Sequence, residues 1–180
     1  MIFFVLLLVF ITLGQIAEFF IPPLGWLYNA HVYIVPLIVF YAAVALPIPM
    51  MLAVALYAGV LLDALTVQVI GSKVEISLGW SILLYAVLAG FMHGLRPLFI
   101  RGRWEVHCLL SGICTSFILL AQYLMITFRR GSVVFSPQVW WQIGGPGLVA
   151  MLMAPLIFWF LHWLAQVTAF PYLPERNRFE

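Results

Sequence analysis

The chain has 180 residues, of which 66% are hydrophobic and only 8% are charged. Water-soluble domains carry about a quarter charged residues, so this composition excludes a soluble globular protein and indicates one solvated mainly by lipid. The net charge of +2 comes from scattered basic residues without a basic stripe, which argues against nucleic-acid binding. We therefore expect one polytopic membrane domain, residues 1–180, that is all-α and forms a bundle of about six transmembrane helices.

The first predicted helix covers residues 1–21 and is expected to be an uncleaved span, because it lacks a basic n-region and an Ala-x-Ala site. Near its far end, Glu18 could reach the membrane interface or a partner helix, and the interfacial position is favoured. The second apolar run, residues 30–46, contains Pro36 and predicts a kinked or tilted helix. A Pro-rich turn then leads tightly into the third helix.

The third predicted helix, from 48 to about 70, carries Asp63 late in an apolar run. A carboxylate in a hydrocarbon-spanning helix is costly unless it faces protein or water, so Asp63 is the main candidate site residue. Gly59 lies one helical turn before it and Thr66 about one turn after, which gives a small, polar strip. We expect this strip to face another helix and Asp63 to have a structural partner there. Gly71 is expected to end the helix.

The remaining apolar runs predict helices at about 76–99, 106–128 and 143–169. Between the last two, a Trp-containing segment at 132–142 is expected to lie at the membrane–water interface. The final helix carries Gly147, Ala150 and Ala154 within about a third of its circumference, and such small residues allow close helix contact in lipid. The sequence leaves open whether this face meets the rest of the chain or a partner protein.

The distribution of basic residues predicts the orientation of a six-span chain. Five lie on the side of the two termini and three on the other side. The first group is Arg96, Arg101, Arg103, Arg176 and Arg178, and the second is Lys73, Arg129 and Arg130. By the positive-inside rule, both termini are expected to be cytoplasmic.

Motifs for chemistry are absent from the sequence, which contains no nucleophile elbow, phosphate-binding loop, Cys-x-x-Cys or His-Glu-x-x-His. Intramembrane hydrolysis would need a second buried acid or a nucleophile–base pair near Asp63, and neither is seen. Cys108 and Cys114 are interpreted as small hydrophobic residues, since their spacing places them on different helix faces. We predict no catalytic residue, no cofactor and no metal site.

The chain shows, in order, a Pro-started helix, Gly59-Val-Leu-Leu-Asp63 followed by Gly71, a fourth helix ending in Arg, and a last helix with Gly/Pro and then Pro. This order of features resembles the MreD family of rod-shape-determining membrane proteins. The resemblance implies a non-enzymatic scaffold of the bacterial inner membrane. It also implies that the partners are MreC, MreB, RodA and a penicillin-binding transpeptidase of peptidoglycan synthesis.

An alternative is a substrate-binding S-component of an energy-coupling-factor vitamin transporter, since MreD is similar to these subunits in architecture. Such a subunit normally offers an Ala-x-x-x-Ala contact on its first helix. The first helix here has Leu13, Gly14 and Ala17 without that spacing, which favours the scaffold.

Overall fold

The computed structural model describes residues 2–27, 30–66, 69–70, 73–74, 79–97, 104–131 and 136–168. Six helices lie in these ranges: α1 (Ile2–Phe20), α2 (Val35–Ala45), α3 (Ile48–Leu65), α4 (Trp80–Gly94), α5 (Trp104–Arg130) and α6 (Pro137–Val167). A 3-10 turn, Gly25–Leu27, follows α1. Two short strands, β1 (Val69–Ile70) and β2 (Lys73–Val74), form an antiparallel pair after α3. The chain is thus essentially all-α.

Four of the described helices, α1, α3, α5 and α6, are long and apolar enough to cross a membrane. Large apolar side chains such as Val9, Leu56 and Leu152 are exposed on their outer faces, as expected for a multi-pass membrane protein. The other two helices are shorter than predicted: α2 has 11 residues and α4 has 15. At 1.5 Å per residue, α2 extends only about 16 Å, roughly half of the hydrocarbon thickness.

Helix α2 is the centre of the structure. All of its residues are buried, and it contacts each of the other five helices. The predicted kink at Pro36 is wrong, because this proline lies in the first turn of α2, where its missing N–H needs no partner. The segment before it, from His31 to Ile34, has no regular secondary structure. Residues 30–34 therefore do not belong to the helix that the apolar run predicts.

Two other predicted boundaries also need correction. Helix α3 ends at Leu65 and not near 70, because the chain leaves the helix at Thr66 and Val69–Ile70 pair with the next strand. Helix α6 begins at Pro137 and not near 143, so Trp140 and Trp141 form part of the final helix. An apolar stretch can continue as strand or helix without any change in composition, which is why hydropathy alone misplaces such ends.

Candidate functional site

Asp63 is buried, with 3% of its surface exposed, and its Oδ2 atom accepts a hydrogen bond of 2.6 Å from the backbone N–H of Gly79. Gly79 is the residue immediately before α4 and has φ of +102°, a left-handed conformation that strongly favours glycine. The carboxylate thus binds a donor at the start of α4, where the backbone N–H groups lack helical partners and the helix dipole favours negative charge.

Gly59 lies one turn before Asp63 and faces the backbone of α4. A Cβ atom added at Gly59 would lie 2.5 Å from the Ile82 Cα atom and 2.7 Å from the Ile82 backbone nitrogen. Only glycine allows α3 and α4 to approach this closely. The Gly59–Asp63 strip therefore faces another helix: Gly59 sets the distance and Asp63 supplies the polar contact.

Glu18 has the same role at the start of α2. Its Oε1 atom accepts the N–H of Val35 at 2.6 Å and also the N–H of Ile34. The sequence favoured an interfacial position for this carboxylate, but the structure directs it to the N-terminus of α2. Non-helical backbone at membrane depth is tolerated only where protein groups bind its polar atoms. Glu18 binds the backbone in this way where the irregular segment leads into α2.

The other end of α2 is also held by a side chain from a neighbouring helix. The Nδ1 atom of His93 on α4 lies 2.7 Å from the carbonyl oxygen of Ala43 and donates to it. Ala43 is in the last turn of α2, where carbonyl groups have no N–H partner within the helix. Both termini of the short central helix are therefore bonded to polar side chains of α1 and α4.

The α1–α2 and α3–α4 pairs share one layout with an offset of 45 residues. Glu18 and Asp63 are separated by this distance, and so are the first residues of α2 and α4, Val35 and Trp80. In each pair the carboxylate binds the backbone N–H located 16 residues later in the chain. The two helix pairs are thus built on the same plan.

The two pairs also contact each other at equivalent positions. Thr12 and Tyr57 are 45 residues apart, and their side-chain oxygens form a hydrogen bond of 2.8 Å. Equivalent helices pack together as well, α1 against α3 and α2 against α4. Equivalent residues of the two pairs are therefore in direct contact at Thr12 and Tyr57. Gly14 and Gly59 are a further equivalent pair, each four residues before its acid.

The small residues of α6 lie inside the chain. A Cβ atom at Gly147 would lie 2.8 Å from the Gly112 carbonyl oxygen, and one at Gly112 would lie 2.5 Å from the Gly147 carbonyl oxygen. Helices α5 and α6 therefore meet through two facing glycines. Ala150 and Ala154 are buried in a cluster with Leu37 of α2. Of the two surfaces that the sequence left open, the structure places this face against α5 and α2.

Other predicted features lie apart from this site or outside the described residues. Gly71 lies outside the described residues, as do Arg101, Arg103 and the predicted tail arginines. Cys108 and Cys114 are buried free thiols in separate apolar clusters. Within the described ranges, no group of three or more potential metal-ligating side chains is found.

Three contributors to the site were missed at the sequence level: the capping role of Glu18, Gly79 and Gly112. The signal for Glu18 was the repeated Gly-x-x-x-acid spacing, present at Gly14–Glu18 and again at Gly59–Asp63, and this spacing does not point to Gly79. Gly112 had no such signal, because a single glycine in an apolar helix does not show which helix it faces.

Comparisons of the chain with protein-family models, with curated proteins and with solved structures found no match.

Proposed function

We propose that this chain is a non-enzymatic membrane scaffold of the bacterial cell-wall elongation complex, acting in the manner of the MreD family. In this proposal it lies in the inner membrane as a bundle of about six membrane-crossing helices. Its partners are MreC, MreB, RodA and a penicillin-binding transpeptidase.

The proposal is supported by the structural role of the Gly59–Asp63 motif, which holds α3 against α4. The resemblance to the MreD family depends on the same motif. Gly59 permits the close approach of α4, and Asp63 binds the Gly79 N–H. Glu18 and His93 likewise bind backbone groups of α2. Polar side chains that could support chemistry are used here to fix helices in place, which favours a role in holding a surface for partner proteins.

Affinity purification in mild detergent tests the proposal. The tagged chain should co-purify with the rod-shape and peptidoglycan-synthesis proteins, and a Gly59→Leu variant, which cannot pack α3 on α4, should lose them. Gly90→Leu is the matched control, since a Cβ at Gly90 meets nothing within 4 Å. Co-purification of transporter ATPases instead would support the S-component alternative and refute the scaffold.

Reporter fusions test the proposed topology. Fusions at Glu180 and near Arg101 should be cytoplasmic, and a fusion near Arg130 should be periplasmic. A fusion in the turn at Pro47, between α2 and α3, should also be cytoplasmic if α2 completes a crossing. A periplasmic signal at Pro47 or Glu180 would contradict the six-crossing arrangement.

A further inference from the structure

A cavity of about 190 Å³ lies between the two helix pairs and α5. Its wall includes the start of α2, the end of α3, the middle of α4 and one face of α5. A cavity of about 150 Å³ is large enough for benzene, so this one can hold a small organic molecule. It lies at the end of the structure where α1 and α3 place their two carboxylates, and nothing in the proposed scaffold role uses it.

Two of the polar side chains in the wall can act only as hydrogen-bond acceptors. Thr66 and Thr115 each donate their only O–H to a carbonyl of their own helix, at 2.7 and 2.8 Å. Their oxygens can therefore only accept further hydrogen bonds. Gln122 contributes an amide. Tyr85 lines the cavity with only 2% of its surface exposed, and its hydroxyl forms no hydrogen bond with the described residues.

Two carboxylates lie close to this wall. Glu18 accepts the N–H groups of Ile34 and Val35, which lie between the lining residues Tyr33 and Pro36. Asp63 follows the lining residue Leu62 in α3. Oδ1 of Asp63 is buried without a hydrogen-bond partner in the described part of the chain. No Lys or Arg is among the described residues that line the cavity. The two carboxylates and the acceptor oxygens disfavour an anion and favour a cation that donates hydrogen bonds.

We propose that this cavity binds a small organic ammonium ion. The ammonium donates to the Thr66, Thr115 and Tyr85 oxygens, while the aromatic rings of Tyr33 and Tyr85 add cation–π attraction. The aliphatic part of the wall, which includes Leu62 and Ile118, covers the apolar portion of the ligand. An inorganic cation would leave this apolar surface unused. The proposal does not depend on the cell-wall role.

Calorimetric titration of the full chain in phosphatidylcholine nanodiscs tests this site with three probes of similar size: benzylammonium, benzyl alcohol and benzoate. Benzylammonium should bind about tenfold or more tightly than benzyl alcohol, and benzoate should not bind. Tyr85→Phe should weaken benzylammonium binding about fivefold, the effect of one hydrogen bond. Tyr57→Phe is the matched control, because it removes a phenol that does not line the cavity, and it should leave binding unchanged.

Charge is tested separately with Glu18→Gln and Asp63→Asn, which keep an acceptor oxygen. Both should weaken benzylammonium and leave benzyl alcohol unaffected. Equal affinity for benzylammonium and benzyl alcohol would show an apolar cavity and overturn the proposal. Competition by sodium ions as effective as by benzylammonium itself would assign the site to an inorganic cation and would also overturn it. So would the absence of benzylammonium binding at millimolar concentration. Scaffold function in cells can persist in any of these cases, so the two proposals fail separately.

Discussion

The α1–α2 and α3–α4 pairs perform the same task with acids of different length. In the first, Glu18 reaches two N–H groups at the start of α2; in the second, Asp63 reaches one at the start of α4. The backbones of α1 and α2 also lie farther apart at Gly14 than the backbones of α3 and α4 do at Gly59. A Cβ at Gly14 would meet only side chains, the nearest at 3.4 Å, whereas a Cβ at Gly59 would lie 2.5 Å from backbone.

This difference shows how acid length and helix separation are matched. Glutamate is one methylene longer than aspartate and can bridge the wider gap between α1 and α2. Aspartate needs closely packed backbones, and Gly59 makes that approach possible. The glycine is therefore essential in the second pair and replaceable in the first, although the two positions are equivalent in the repeated layout.

The largest expected effect comes from removing the acids. Glu18→Leu should destabilise the protein more than Asp63→Leu, because it leaves two buried N–H groups without partners instead of one, at about 1–3 kcal/mol each. Denaturant titration of the purified protein in mixed micelles measures this difference. The controls Glu18→Gln and Asp63→Asn keep an acceptor oxygen and should cost less than the leucine variants. If Asn and Leu at position 63 were equally harmless, Asp63 would have no structural partner.

The glycines provide the next test. Gly59→Ala should cost about 1–3 kcal/mol, since the new methyl group meets the backbone of Ile82, which cannot move aside as a side chain can. Gly14→Ala should stay within about 1 kcal/mol of wild type, because its neighbours are side-chain atoms at ordinary contact distance and alanine favours helix. The same unfolding titration compares them. Equal losses at both positions would contradict the proposed difference in helix spacing.

The smallest expected effect concerns the contact between the two pairs. Tyr57→Phe removes the hydrogen bond to Thr12 and should cost about 0.6 kcal/mol, the average for such bonds between membrane helices. Thr12→Val should cost a similar amount. In the double variant the two losses should not add, because the same bond is lost in each. Fully additive losses would show that the two side chains do not interact.

The sequence by itself determined the class of the protein and part of the candidate site. Composition indicated a membrane protein, because so little charge cannot keep a folded surface in water. The cost of a buried carboxylate singled out Asp63, and its spacing from Gly59 predicted that the strip would face another helix. These inferences rest on local properties, namely the polarity of single residues and the helical repeat.

Only the tertiary structure decided which groups the acids bind and where the central helices begin and end. Residues 30–46 are almost uniformly apolar, so nothing in their pattern separates the irregular segment before Val35 from α2. The partner of Asp63 is a backbone N–H, which every residue except proline carries, and its choice depends on the path of the chain between α3 and α4. The contact of Glu18 with the start of α2 and that of Gly112 with Gly147 likewise follow from the packing of whole helices. Residue type alone does not specify that packing.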